Sequence, residues 1–296
     1  MATKSQTNDK HSRPLGRVIR CVVPWLVLGA AALFVFYGTI YALANAPSRD
    51  RLPFDSTFED GSLGEWKNWG ATQLCCAHSA QIVTEPVRAG RYAIAFIVNR
   101  DDPNVRKSKR AELRLSGTTM GEHYWYGFSV FVPGDWTPSP APVTAVQWHA
   151  VPDVLIGELG QSPALRLLVR DDQWMIANRW DPARVSRSLW GFSRQGAAAI
   201  LWSAPLDRGR WTDWIFHVRW SFDASGIVEI WKDGTLVAKR AGANTFNDWI
   251  APYFKIGVYV PSWGVPNHGD PVSRRSLLFD EIRVRRSSAR PLDFAP

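Results

Sequence analysis

The sequence predicts an all-β, two-sheet sandwich preceded by one N-terminal transmembrane helix. Three observations carry this. From residue 54 onward the chain reads as short segments of strand period, almost none of helical period, and turn chemistry between them. Ahead of them, Cys21 to Ala44 holds no charged side chain. No period of 20–50 residues repeats, which argues against a solenoid or propeller.

The uncharged run would span roughly 36 Å as a helix at about 1.5 Å per residue, enough to cross a bilayer. Lys4, Lys10, Arg13, Arg17 and Arg20 precede it against Asp9 alone, so the basic excess lies on its N-terminal side. That predicts a cytoplasmic N-terminus in an inner membrane and an extracytoplasmic, periplasmic remainder. Ala44-Asn45-Ala46 also resembles a signal-peptidase site, and cleavage would make the protein secreted. The length of the apolar run and Pro47 just after that site favour an uncleaved anchor. The expected organisation is a basic cytoplasmic tail (1–20), the anchor (21–44), a linker (45–53), the sandwich (54–286) and a short, poorly ordered C-terminal tail (287–296).

Candidate strands are Ala80–Thr84, Tyr92–Asn99, Arg110–Ser116, Tyr124–Val132, Thr144–Ala150, Ala164–Arg170, Trp174–Arg179, Trp214–Ser221, Ile227–Lys232, Thr235–Arg240, Tyr253–Val260 and Ser276–Arg285. Asp233-Gly234 between two of them marks a hairpin. Asp101–Lys109 and Arg184–Ala199 read as basic loops at the rim, where binding residues commonly sit. Many antiparallel strands without helices over so long a stretch imply two packed sheets.

The formal charge of +8 divides evenly. The first twenty residues supply +4, five basic side chains less one acidic, and the remaining +4 is spread over the exported part. That balance is compatible with a polyanionic partner, and no nucleic-acid motif accompanies it. Of the sixteen tryptophans, fifteen follow residue 46. Most are expected in the core and three or four in a sugar-binding groove, where an indole face packs on a pyranose. Cysteine is scarce: Cys21 opens the anchor, and adjacent Cys75 and Cys76 make a mutual bridge an uncommon geometry. No Cys/His spacing resembles a zinc site.

Three strands pattern polar groups against apolar ones. Alternation puts Arg110, Glu112 and Arg114 on one face, opposite Ala111, Leu113 and Leu115. Gln147 and His149 share a face, opposite Val146, Trp148 and Ala150. Tyr253, Lys255 and Tyr259 oppose Phe254, Ile256, Val258 and Val260. A face bearing arginines, a glutamine, a histidine, a lysine and a tyrosine suits holding a sugar carboxylate and moving a proton beside it. Gly257 between them permits a close approach, by sugar or by a neighbouring strand.

Arg110-Ala111-Glu112-Leu113-Arg114, Gln147-Trp148-His149 and Tyr253-Phe254-Lys255-Ile256-Gly257-Val258-Tyr259, in that order, resemble the hallmark segments of jelly-roll polysaccharide lyases: alginate lyases, glucuronan lyases and heparinase-type enzymes. The resemblance spans most of residues 80–285. It implies a concanavalin-like β-jelly roll and β-elimination on a uronic-acid polymer. By position, Arg110, Arg114 and Gln147 would contact the substrate carboxylate, and His149 and Tyr259 would be the proton-transfer pair. Lys255 would be a nearby charge, and Glu112 would orient the two arginines. Tyr253 is open between sugar platform and packing. Trp148 stands where alginate lyases usually carry an aliphatic residue, and Val260-Pro261-Ser262-Trp263 where they tend to carry polar ones. Both departures lean toward the glucuronan and heparinase side.

The chemistry asks for these residue types. Removing the weakly acidic C5 proton of a uronate builds negative charge on its carboxylate, which guanidinium forks and an amide stabilise. A base must take that proton and an acid must protonate the departing O4. An imidazole and a phenol suit these tasks, and Tyr259 alone can serve both on some stereochemistries.

Two other classes fit the sequence less well. A sandwich glycoside hydrolase needs two facing carboxylates, about 5–5.5 Å apart when retaining. Asp280-Glu281 are consecutive and point to opposite faces, and no Glu-x-Asp-x-x-Glu pattern occurs. A non-catalytic carbohydrate-binding domain would have no need of a paired His and Tyr beside arginines. Some relatives carry a structural calcium, for which Asp55, Glu59, Asp60 and Asp280 are candidate ligands. His78, His123, His217 and His268 read as surface or structural.

Overall fold

The computed structural model describes residues 15–46, 52–191, 193, 196–265, 269–286 and 294. The expected tail residues 1–14, linker residues 47–51, His268 and all of 287–296 but Phe294 lie outside them. The chain divides into two units, residues 1–43 and 44–296.

In the first unit, helix α1 (Leu15–Asn45, whose last two residues belong to the second unit) includes Val22–Asn45, a stretch long and apolar enough to cross a membrane by length and composition. Its apolar side chains stand exposed, Trp25 and Leu43 among the most open.

The second unit holds two antiparallel sheets. The first runs β13 (Thr235–Ala241), β12 (Ile227–Lys232), β11 (Trp211–Arg219), β6 (His123–Phe131), β15 (Arg274–Arg286), β4 (Ala93–Asn99), β3 (Ala80–Val83), with β1 (Phe54–Ser56) also paired to β15. The second runs β10 (Ala197–Pro205), β9 (Gln173–Trp180), β8 (Leu165–Arg170), β7 (Val143–Val151), β14 (Ile250–Val260), β5 (Lys109–Leu115), β2 (Gly70–Gln73). A short helix α2 (Gly64–Trp69) leads into β2. Each sheet joins runs of consecutive strands to strands far away in sequence, such as β14 between β7 and β5, as a double-layered sandwich with crossing connections requires.

The expected strands all form. The structure adds β1, β2 and β10, of which β10 falls partly in the stretch expected as loop. Its residues are exposed or half-buried, Trp202 packs on Trp214, and a bulge between Ile200 and Trp202 breaks the register, so no apolar alternation marks it. The Asp233-Gly234 hairpin closes with both residues at positive φ (48° and 76°), the geometry that keeps the strand twist continuous.

The core lies between the sheets and is rich in aromatic rings. Trp148 packs edge-on to Tyr126 at 5.2 Å and tilts against Phe216 and Phe254 at 4.7 and 5.4 Å. Trp66, Trp174, Trp214 and Trp220 are likewise fully buried, while Trp190 and Trp249 are exposed. Burial of Trp148 fixes its sequence neighbours Gln147 and His149 on the opposite, outer face of β7. Phe294, within the stretch expected as a tail, is buried and stacks on Trp125. Cys75 and Cys76 are bonded to each other, against the expectation from their adjacency.

Candidate active site

Three strands at the middle of the second sheet carry the site. In β14 the inward residues Phe254, Ile256, Val258 and Val260 are buried in the core. Tyr253, Lys255 and Tyr259 therefore lie on the outer face. Register lines them up with the flanking strands: Tyr253 opposite His149, Lys255 between Gln147 and Arg114, Gly257 opposite Glu112, and Tyr259 between Thr144 and Arg110. Gly257 (φ 137°) is needed by the neighbouring strand, since a Cβ there would sit 2.1 Å from the Ala111 carbonyl oxygen. That settles the choice left open at this glycine. All eight residues singled out from the sequence thus share one face.

They occupy two depths. Glu112, Gln147 and Lys255 are 2%, 1% and 1% exposed and make a buried floor. Lys255 Nζ donates to Gln73 Oε1 at 2.8 Å and to Glu112 Oε2, and Gln147 Nε2 donates to Glu112 Oε1. Arg110 Nη1 completes the floor by donating to Glu112 Oε2 at 3.3 Å and, at 3.5 Å, to Gln73 Oε1. The Gln147 amide, expected at the substrate carboxylate, donates to Glu112, and Lys255 and Glu112 lie beneath the surface. Glu112 orients Arg110, Lys255 and Gln147; Arg114 instead donates to Asn45 Oδ1 at 3.2 Å.

Above the floor stand Arg110, Arg114, His149, Tyr253 and Tyr259, all only partly buried. The Arg110 guanidinium lies over the Tyr259 ring at 4.1 Å and the Arg114 guanidinium over Tyr253 at 4.9 Å. Arg110 Nε is buried and has no acceptor among the described residues. Tyr253 stacks on the His149 ring at 5.4 Å, and burial raises its phenol above the ordinary range.

His149 Nδ1 lies 2.9 Å from the Ala150 carbonyl oxygen. A carbonyl only accepts, so Nδ1 carries the proton and Nε2 keeps its lone pair. Burial pushes the imidazole down to about 4, with Lys255 and Arg110 acting in the same direction. His149 is therefore neutral at physiological pH, the state a base requires. Burial also lowers Lys255 to about 8, against the upward pull of Glu112.

Sequence reasoning missed four neighbours of this face. Gln73 in the floor comes from β2, too short to show alternation. Asn45 comes from the end of α1. Arg166, opposite Gln147 on β8, is depressed by its own burial and by Arg179, which stands on the same face one strand on. Neither Arg166 nor Arg179 pairs with a carboxylate among the described residues. Their signal was present, since Arg166 alternates with Leu165 and Leu167. Arg179 and Arg187, with Gln161 and Ser162, line a cavity of about 550 Å³.

The carboxylates expected to bind calcium do not converge. Asp280 accepts the Arg88, Ala89 and Glu281 amides, and Glu59 accepts those of Arg91 and Tyr92. Asp60 holds Ser62, and Asp55 pairs with Arg285. Cys75, Cys76, His78 and Asp102 do gather, with the sulfurs already bonded to each other and His78 Nε2 3.0 Å from Asp102.

A family model described as polysaccharide lyase matches residues 60–283. Among solved structures, the endo-β-1,4-glucuronan lyase of the fungus Trichoderma reesei is similar, with a TM-score of 0.63 and 22% identity over 73% of this chain and 90% of that one. A family 7 alginate lyase solved with substrate has a TM-score of 0.48 and 11% identity over 73% and 84% of the two chains. No curated protein matches the sequence. With the family model spanning most of the sandwich, this chain belongs to the polysaccharide lyase family and is a polysaccharide lyase.

Proposed function

We propose that the protein is a membrane-anchored lyase that cleaves a uronic-acid-containing polysaccharide by β-elimination outside the cytoplasm. The observation that carries the reading is the pairing, on one sheet face, of a neutral imidazole with a free Nε2 and an arginine whose buried Nε lacks an acceptor. The first suits a base, and the second suits a carboxylate on the sugar.

In this reading Arg110 and Arg114 receive the uronate carboxylate, and Arg110 Nε gains its missing acceptor. As a base takes the C5 proton, charge moves onto the carboxylate and the guanidinium forks hold it. The C4–O4 bond then breaks, a C4–C5 double bond forms, and a proton passes to O4. His149 and Tyr259 are the proposed proton-transfer pair; the Arg110 guanidinium lies over one and its charge acts on the other. Tyr253 offers a platform beside His149. Glu112, Gln147 and Lys255 act through Arg110, by fixing where its charge sits.

Cations along the face, from Arg114 and Arg110 across Arg166 to Arg179, favour a polyanion over a neutral glycan. The single apolar helix and the basic side chains ahead of it support an anchor with the lyase on the far side. Against hydrolysis, Glu112 is the carboxylate in the described floor, and it is buried and bonded to Lys255.

The test incubates the full chain in detergent with glucuronan, alginate, heparin and heparan sulfate while following the ultraviolet absorbance of an unsaturated uronate. Rising absorbance with one polymer, glucuronan being the first to try, supports the reading. Reducing ends released without absorbance would make the protein a hydrolase, and binding without either product would make it a sugar-binding domain.

A further inference from the structure

We propose that Asp153, Glu158 and Asp248 form a divalent-cation site, suited to calcium by its all-oxygen donors, that ties together three loops beside the active face. Their carboxylate oxygens lie within 4.8 Å of one another, and the residues are 4%, 2% and 5% exposed. They arrive from different places. Asp153 and Glu158 bracket the turn after β7, and Asp248 sits in the loop before β14.

Three carboxylates in so small a buried volume repel one another unless something offsets their charge. Two are anchored by backbone amides. Glu158 accepts from the Asp153 and Ser186 N–H groups, both at 3.0 Å, and Asp153 accepts from Trp249 N–H at 3.1 Å. One cation is supplied, the Arg184 guanidinium on Asp153. Asp248 is different: both its carboxylate oxygens are buried and no backbone amide or cation donates to them, the Glu158 carboxyl being their hydrogen-bonding neighbour. With all three carboxyls ionised, as coordination to a metal requires, Arg184 offsets one charge and a hard dication would offset the other two. Carboxylate oxygens held by backbone amides are the donor type that calcium takes.

The site would order what surrounds the chemistry. Asp153 follows His149 at the end of β7, and Asp248 precedes Tyr253 at the start of β14. An ion there would fix the ends of the strands that stack His149 on Tyr253. It would also hold the segment of Arg184 and Ser186, whose guanidinium lies 4.8 Å over the Trp249 ring. None of this depends on which polymer the enzyme cuts, or on whether it is a lyase.

Trp249 supplies the readout, since an indole beside the site can sensitise bound terbium. The full chain in detergent is stripped with EGTA and titrated with Tb³⁺ under tryptophan excitation. Sensitised emission that Ca²⁺ displaces and that Asp248→Asn abolishes is expected. Calcium at a hundredfold excess over its Kd should raise the wild-type Tm by roughly 5–10 °C, reversed by EGTA. The melting shift needs no variant, so it decides the matter even if Asp248→Asn fails to accumulate. A Tm indifferent to calcium and EGTA, or emission equal in wild type and Asp248→Asn, would overturn the site and leave a shared proton to satisfy the cluster.

Discussion

Lys255 and Glu112 form an ion pair beneath the strand surface, with side chains only 1% and 3% exposed. Each needs the other: a lone ammonium or carboxylate at that depth costs several kcal/mol in lost hydration. Lys255→Met and Glu112→Gln should therefore each destabilise the fold by about 3–5 kcal/mol, and the double variant by less than their sum. Urea denaturation of the three variants checks this, and strict additivity would mean the pair is not coupled.

His149→Ala and Tyr259→Phe are expected to lower kcat by about 10²–10⁴-fold each, the usual worth of a positioned acid or base. Circular dichroism should be unchanged, because both side chains stand above the floor. A variant that keeps near-normal turnover removes its residue from proton transfer, and the comparison separates a two-residue scheme from one run by Tyr259 alone.

In the proposed mechanism the pH profile follows from His149. Its folded-state value near 4 lies below the ordinary 6.5, so the base form persists well into acid. The acid limb of kcat/KM should fall with a midpoint nearer 4 than 6.5. Stability carries the same signature. Between these values the unfolded chain binds a proton that the fold refuses, so stability rises with pH through the window and is complete above 6.5. His149→Gln should remove up to about 3 kcal/mol of that slope, read from urea midpoints at both ends of the window.

Gly257→Ala tests the close approach of β14 and β5. The added methyl carbon meets the Ala111 carbonyl oxygen at 2.1 Å, at a φ that L-residues avoid. A loss of about 3 kcal/mol or more is expected, measured by thermal or urea denaturation. A wild-type midpoint would mean that the strands part at little cost.

Arg166→Ala and Arg179→Ala should raise KM for the polymer roughly three- to tenfold while kcat holds, with the effect shrinking at high salt. Initial rates at two ionic strengths decide it. An unchanged KM in both variants would confine substrate recognition to Arg110 and Arg114.

Alternation alone was enough to sort the faces of β5, β7 and β14, because Ala111, Leu113 and Leu115, then Val146, Trp148 and Ala150, then Phe254, Ile256, Val258 and Val260 each mark one apolar side. Depth was not legible. Whether Lys255 reaches solvent depends on Gln73 and Glu112 arriving from other strands, and that pairing is set by register across the sheet. The same holds for Gln147, whose amide is claimed by Glu112. β10 escaped notice because an edge strand with a bulge between Ile200 and Trp202 does not alternate in step. Asp153, Glu158 and Asp248 are ordinary loop acids until the β7 and β14 ends bring them together. The Cys75–Cys76 bond is a matter of local backbone geometry that spacing cannot convey.

The placement of Trp148 has a further consequence. The same three consecutive residues serve as a rivet between the layers and as part of the working surface, so the tilt of that indole sets the aim of its two neighbours. Swapping it for a slimmer apolar side chain would leave the chemistry's residues intact and move where they point. A designer seeking new polymer preferences would do better to leave the rivet alone and vary the arginines at the margin.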